Sequence, residues 1–244
     1  MPQVRTQPEG STPSSSETRR QLVSFSFYKV MPEWRRLPYS EREQHRREAA
    51  EVLRRWSVPG ELRMLTYSTL GMRSDCDMML WRICYSLEGL QSMSRELLAT
   101  RLGGYLETSY SYLAMTKRTQ YHLAGRNPGD SRGTIRPGQS RYLFVFPMLK
   151  TRAWYQLAWE ERQRIVADYM SIIEEFSRVR LHVAYSFGLD DQEYVVAFES
   201  DYPEDFLDLM QRLRETENSA YTQRDTPMFT CVQTSIDEML ERLG

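Results

Sequence analysis

Histidine is scarce in this chain. His45, His122 and His182 are the only three in 244 residues, and their wide spacing argues against a multi-histidine metal site. Cysteine is as sparse, with Cys76, Cys84 and Cys231 forming no CxxC pair and no Cys/His ligand spacing. Each sits in an apolar, strand-like run, so all three read as buried thiols of a reducing compartment. No apolar run approaches the roughly 20 residues needed to span a bilayer. The opening Met1-Pro2-Gln3 has no apolar segment behind it before Leu22, unlike a secretory signal. One-sided charge is missing too: 32 basic and 33 acidic residues leave a net −1, with no electrostatic footprint for nucleic acid or membrane. These absences point to a cytoplasmic protein without a membrane span.

What is present is enough apolar material, 41% of the residues, for one large core or two small ones. Residues 1–20 are rich in Ser, Pro, Gly and Arg and cannot bury enough surface to offset chain ordering, so they read as a disordered tail. Order begins at Leu22, where Val23, Phe25 and Phe27 alternate with Ser24, Ser26 and Tyr28, the period of two of a strand. Ser40 is read as the cap of a helix that carries Glu41 and Glu43 in its first turn and is stopped by Pro59-Gly60. Strands over 62–69 and 76–84 follow, joined by a Gly-Met-Arg-Ser-Asp turn. A helix over 87–100, ended by Gly103-Gly104, and a strand over 108–116 complete a βαββαβ unit.

The same order then recurs. A strand over 141–148 leads into a helix over 158–176, strands over 178–187 and 192–199, a helix over 203–214 and a strand over 227–233, with a short helix running to Leu243. The inner turns match as well: Leu70-Gly71-Met72 stands where Phe187-Gly188-Leu189 stands in the second copy. The spacing therefore predicts an α+β protein of two tandem ferredoxin-like units, 21–116 and 141–244. Helices would cover one face of each sheet. The two open apolar faces would bury each other as a dimeric α+β barrel within one chain.

Residues 117–140 interrupt this symmetry with Gly, Pro and an excess of cations: Lys117, Arg118, Arg126, Arg132 and Arg136 against Asp130 alone. Two readings are open, a solvated linker or a basic flap that meets an anionic ligand. The helix over 158–176 places Ile165, Tyr169, Ile172 and Phe176 on one stripe toward the sheet. In the strand after it, Leu181 and Val183 share one face, whereas His182 and Ala184 share the other. His182 thus reads as a buried inter-sheet histidine. The corner 146–155 packs Lys150, Arg152, Trp154 and Tyr155 close together, as a plain surface corner or as a site pairing cations with carboxylates and an aromatic with a flat ring.

Several stretches resemble the chlorite dismutase superfamily, which includes the coprohaem decarboxylases. They are 66–81 (TYSTLGMRSDCDMMLW), Ser111-Tyr112-Leu113, Phe146-Pro147-Met148-Leu149-Lys150, Trp154-Tyr155, Glu161-Arg162, Gly188-Leu189-Asp190-Asp191 and Glu217-Asn218-Ser219-Ala220-Tyr221. They occur in order from about Leu22 to the C-terminus. The resemblance implies haem b or coprohaem bound between the sheet and the helix over 158–176, in a ring-shaped homo-oligomer, often a pentamer. It places Lys150, Trp154 and Ser219 at pocket positions.

Three positions depart from the pattern. The axial histidine is matched by Tyr169, the radical-forming tyrosine by Phe146, and the distal glutamine or arginine by Leu181. Phenylalanine has no phenolic proton to lose, and leucine cannot hydrogen-bond an iron-bound oxygen. Tyrosinate can ligate ferric haem when a nearby cation lowers its pKa, and Arg162 and Arg180 are the cations near in sequence. Two functions remain: a haem-dependent oxidoreductase with Tyr169 as altered ligand, or a non-catalytic relative that binds a tetrapyrrole or a protein as a scaffold. A true coprohaem decarboxylase is disfavoured by Phe146 and Tyr169.

Overall fold

The computed structural model describes residues 19–57, 62–121 and 134–244. The tail up to residue 18, the Pro59-Gly60 stop, and His122, Arg126, Asp130 and Arg132 lie outside the described residues. Strand β1 (Leu22–Val30) leads through a single turn, α1 (Pro32–Arg35), into helix α2 (Tyr39–Trp56). The helix does not start on a Ser40 cap. Pro38 occupies the cap position with φ −52°, and no side chain caps the helix. The Pro38 carbonyl instead starts the helix, accepting from the Glu41 and Arg42 N–H groups at 3.1 Å each. Next come β2 (Leu62–Ser68), β3 (Met78–Cys84) and α3 (Leu87–Leu98). Ser86 does cap α3, accepting from the Gly89 N–H at 3.1 Å. Gly103 then packs on the end of the same helix, where a Cβ would lie 2.3 Å from the Leu97 carbonyl oxygen. Strand β4 (Leu106–Met115) closes the first unit.

The second unit runs β5 (Tyr142–Lys150), α4 (Arg152–Gln156), α5 (Trp159–Glu175), β6 (Arg180–Tyr185), β7 (Tyr194–Ser200), α6 (Pro203–Arg214), α7 (Glu217–Ala220), β8 (Thr222–Arg224), β9 (Phe229–Thr234) and α8 (Ile236–Glu241). The elements absent from the sequence reading, α1, α4, α7 and β8, have three to five residues each, too few to carry a period.

Every strand pair in the barrel is antiparallel. The first unit orders its strands β4-β1-β3-β2 and the second β6-β7-β5-β9, the same order read from opposite ends. The units join at two seams. β2 meets β9 through three register pairs, Thr66↔Thr234 to Ser68↔Val232. β4 meets β6 at one pair only, Met115↔Tyr185. The result is a closed eight-stranded barrel, with β8 attached outside it to the end of β5.

Alternation along the strands sorts the described side chains into four clusters, the smallest made of Leu22, Leu62, Cys84 and Leu90. Phe25, Phe27, Trp81, Leu143, Val145, Ala197 and Phe229 fill the barrel. Trp34, Leu53, Met93, Met239 and Leu240 pack between the first unit and its helices. Phe144, Phe146, Ile173, Phe198 and Leu209 pack beneath α5 and α6. On α5 the buried line is Ile165, Met170 and Ile173. Tyr169, Ile172 and Phe176 flank it half-buried, so the apolar stripe is centred one residue round from the expected one.

The barrel end beside β1 is fastened by a carboxylate. Asp77, 2% exposed, accepts from the Val30 N–H at 2.9 Å, Lys29 Nζ at 2.9 Å and an Arg35 guanidinium nitrogen at 3.0 Å. Burial pushes its pKa up, but those three donors outweigh it and leave the carboxyl below its ordinary range. The folded state therefore gains stability from Asp77 above the unfolded carboxylate pKa and loses it as pH falls through the lower folded value. Asp77→Ala should cost about 2–4 kcal/mol at pH 7 by urea unfolding, because two cations lose their partner. The gap between the two proteins should narrow as pH drops below about 4.

Candidate functional site

A cavity of about 310 Å³ lies beneath α5 in the second unit. Its sheet wall is Met148, Leu181, Val183, Tyr185, Tyr194 and Val196, and its helix wall is Val166, Tyr169 and Met170. Lys150, Trp154 and Asn218 form one corner. The cavity also touches His182, on the opposite face of β6 from Leu181 and Val183. It does so because β6 has a single pair with β4, so its edge stays open and the cavity wraps around it. Thr116, Lys117, Thr119 and Tyr121 line this opening from one end of the long connection, and Thr134 and Ile135 from the other.

The described ends of segment 117–140 are therefore built into the site. Tyr121 stacks on Trp159, the first residue of α5, with ring centroids 5.3 Å apart and planes 3° from parallel. Lys117 Nζ stands 5.8 Å from the Tyr185 ring centroid. Beyond the gap, Ile135 enters the barrel core, and its N–H donates to the Gln21 side chain at 2.6 Å. Gly138 adopts φ +80°, where a Cβ would meet Leu65 at 2.4 Å. The Gly138 and Gln139 N–H groups donate to Glu199 Oε1 at 2.6 and 3.2 Å.

Glu199, fully buried, uses its other oxygen for His182 Nε2 at 2.8 Å. The His182 ring also sits edge-on to Trp81 with centroids 5.5 Å apart. The histidine is the inter-sheet residue the strand pattern indicated. Its contact with the cavity comes from the open seam, which the pattern did not show.

Lys150 is 5% exposed. Its ammonium donates to the Asn218 carbonyl at 3.0 Å, to Asn218 Oδ1 at 2.9 Å and to Thr222 Oγ1 at 3.2 Å. It lies 4.9 Å from the Trp154 ring centroid. Burial pulls its pKa down to about 8, with Glu193 and Asp225 acting the other way. The rest of the corner turns away. Tyr155 donates to Glu193 Oε2 at 2.5 Å, and Arg152 is an exposed cation 4.0 Å from Glu193.

Of the six pocket positions drawn from the resemblance, Tyr169, Lys150, Trp154 and Leu181 line the cavity. Phe146 does not: it packs beneath the helices, 6.3 Å from Phe198 by ring centroid. Ser219 does not either, since in the one-turn helix α7 its neighbour Asn218 takes the inward position. Asn218, Tyr185 and Tyr194 are pocket residues that the sequence does not mark as such, because a single turn has no period and their polar tips resemble ordinary surface chemistry. The equal alternation of Tyr185 with Leu181 and Val183 was the available signal.

Apolar and aromatic walls on both sides fit a flat macrocycle. The donor set does not fit its iron. Burial raises the Tyr169 phenol well above the ordinary tyrosine value; Arg214 acts against this and Asp225 with it. Arg214 is itself paired with Asp225. The two cations near in sequence do not help: Arg162 stacks on Trp159 at 5.8 Å, and Arg180 is exposed on β6. Among the described residues, no group of three or more His, Cys, Asp or Glu is placed to hold a metal.

The fold and this cavity define a dimeric α+β barrel with a ligand slot under the long helix of its second half. The chain belongs to the chlorite dismutase family, whose pattern matches residues 29–234. It is similar to a coproheme decarboxylase of Mycolicibacterium smegmatis, 28% identical over 204 residues, covering 80% of this chain and 84% of that protein. It is 25% identical over 205 residues to the chlorite dismutase of Ideonella dechloratans, covering 82% and 71%. Among solved structures, a variant of the chlorite dismutase from Candidatus Nitrospira defluvii superposes with a TM-score of 0.83 at 22% identity, covering 91% of this chain and 94% of that one. A heme-binding protein from Thermus thermophilus gives 0.80 at 22% identity, with the same coverage. No described helix is long and apolar enough to cross a membrane.

The Lys150 ammonium gives a pH test. Its folded pKa lies below the unfolded lysine value of about 10.4, so burial of the charge costs stability below pH 8 and that cost is relieved as pH rises. Between pH 8 and 9.5 the wild-type protein should gain about 1 kcal/mol per pH unit over Lys150→Met, read as the difference between parallel urea titrations.

Proposed function

We propose that this chain is a tetrapyrrole-binding member of the chlorite dismutase family, holding a haem-type macrocycle between α5 and the sheet of the second unit. The observation that carries this reading is the cavity itself. It lies under the helix where the resemblance expects the ring, with Trp154, Tyr185 and Tyr194 as aromatic lining and Val166, Met170 and Val183 as apolar lining. Relatives described as coproheme decarboxylase and heme-binding protein support it.

Binding is better supported than catalysis. The position matched to the radical-forming tyrosine is Phe146, which is outside the cavity. Leu181, at the position matched to the distal glutamine or arginine, brings no donor to stabilise developing negative charge. Lys117, exposed at the mouth, is placed to meet a carboxylate on the edge of a bound ring.

The test is a titration followed by absorbance. Hemin or coprohaem should bind saturably at about micromolar concentration. Val166→Trp, which fills the slot from the helix side, should weaken binding at least about tenfold while leaving the melting temperature close to wild type. Absence of saturable binding by either ring would leave the scaffold reading.

A further inference from the structure

The described cavity wall offers a metal few free lone pairs: burial raises the Tyr185 and Tyr194 phenols as it does Tyr169, and the Lys117 ammonium lies 5.8 Å from the Tyr185 ring centroid. The Tyr169 oxygen carries a proton that burial holds in place, and Arg214, the cation acting against that, is tied to Asp225. All three N–H bonds of the Lys150 ammonium have acceptors, Asn218 twice and Thr222. His182 is anchored through Nε2 to Glu199 and lies edge-on to Trp81 toward the barrel interior. Met148 and Met170 offer only thioether sulfur, a soft neutral donor poorly matched to ferric iron. What the wall does offer is flat and apolar surface on both sides of a slot.

We infer that the cavity holds its macrocycle by the ring faces and not through a bond from the protein to a central metal, so that metal-free porphyrins are ligands of this protein on a par with iron porphyrins. This rests on the tetrapyrrole reading above and narrows it: the protein is built to carry or sense the ring and is indifferent to what the ring contains. The contacts responsible are dispersion and stacking, and these are the same for a ring with or without iron. A metal-to-protein bond would instead add its strength to the metal-containing rings and not to the metal-free one.

The experiment uses the full chain and three probes: metal-free protoporphyrin IX, its zinc complex, and hemin. Binding is followed by quenching of tryptophan fluorescence and by absorbance. The three dissociation constants should fall within about threefold of one another, and Tyr169→Phe should shift all three by a common factor. Hemin binding at least about 30-fold tighter than the metal-free ring, or a loss in Tyr169→Phe confined to hemin, would overturn the inference while leaving tetrapyrrole binding intact. Failure of all three probes would overturn both readings. The wild-type comparison needs no variant, so a folding defect cannot imitate either result.

Discussion

Everything in this molecule depends on two apolar sheet faces burying each other. Phe27 of the first unit stacks on Phe229 of the second with ring centroids 4.0 Å apart, and Trp81 stands against His182 across the same interior. Each four-stranded sheet has helices on only one side, so neither could leave its inner face to water. Closure is nonetheless unequal. Three register pairs join β2 to β9, and one joins β4 to β6. The weaker seam is filled by the long connection, with Ile135 acting as an apolar plug and Gln21 hydrogen-bonding its backbone.

That inequality explains where the site is. A fully paired β6 would confine any cavity to the helix side of the sheet. Because its edge is open, the slot reaches around it to His182, and the ends of segment 117–140 become walls. The first unit is filled differently. There Trp34, Met239, Leu240 and Leu243 occupy the space between sheet and helices. The duplication is thus symmetric in strand order and asymmetric in what the helices enclose.

The buried polar groups divide by the same logic. Asp77 and Glu199 are acceptors saturated by donors and hold the barrel ends. Arg82, also buried, donates to Ser24, Ser26 and Ser94 hydroxyls, and burial pulls its pKa down. Lys150 is the charged member of this set that reaches the cavity, and even it is satisfied by protein oxygens. With such groups committed to structure, the slot is left to apolar and aromatic chemistry. A pocket of that kind selects ligands by shape and planarity more than by charge.

The sequence was sufficient for the repeated βαββαβ order, the inward alternation of Phe25 and Phe27, the inter-sheet place of His182 and the family likeness, because strand period, turn residues and ordered motifs are local signals. It could not say that Asn218 and not Ser219 lines the cavity, or that Phe146 is covered within the helix-side core and not exposed to the slot, since each depends on neighbours supplied by other elements. Whether Tyr169 meets a helping cation was also beyond it. The partner is Arg214, 45 positions along the chain and already held by Asp225, and such a pairing exists only once α5 and α6 are laid side by side on the sheet. Local chemistry fixes which elements form; the proton on a buried phenol answers to whatever the completed packing places around it.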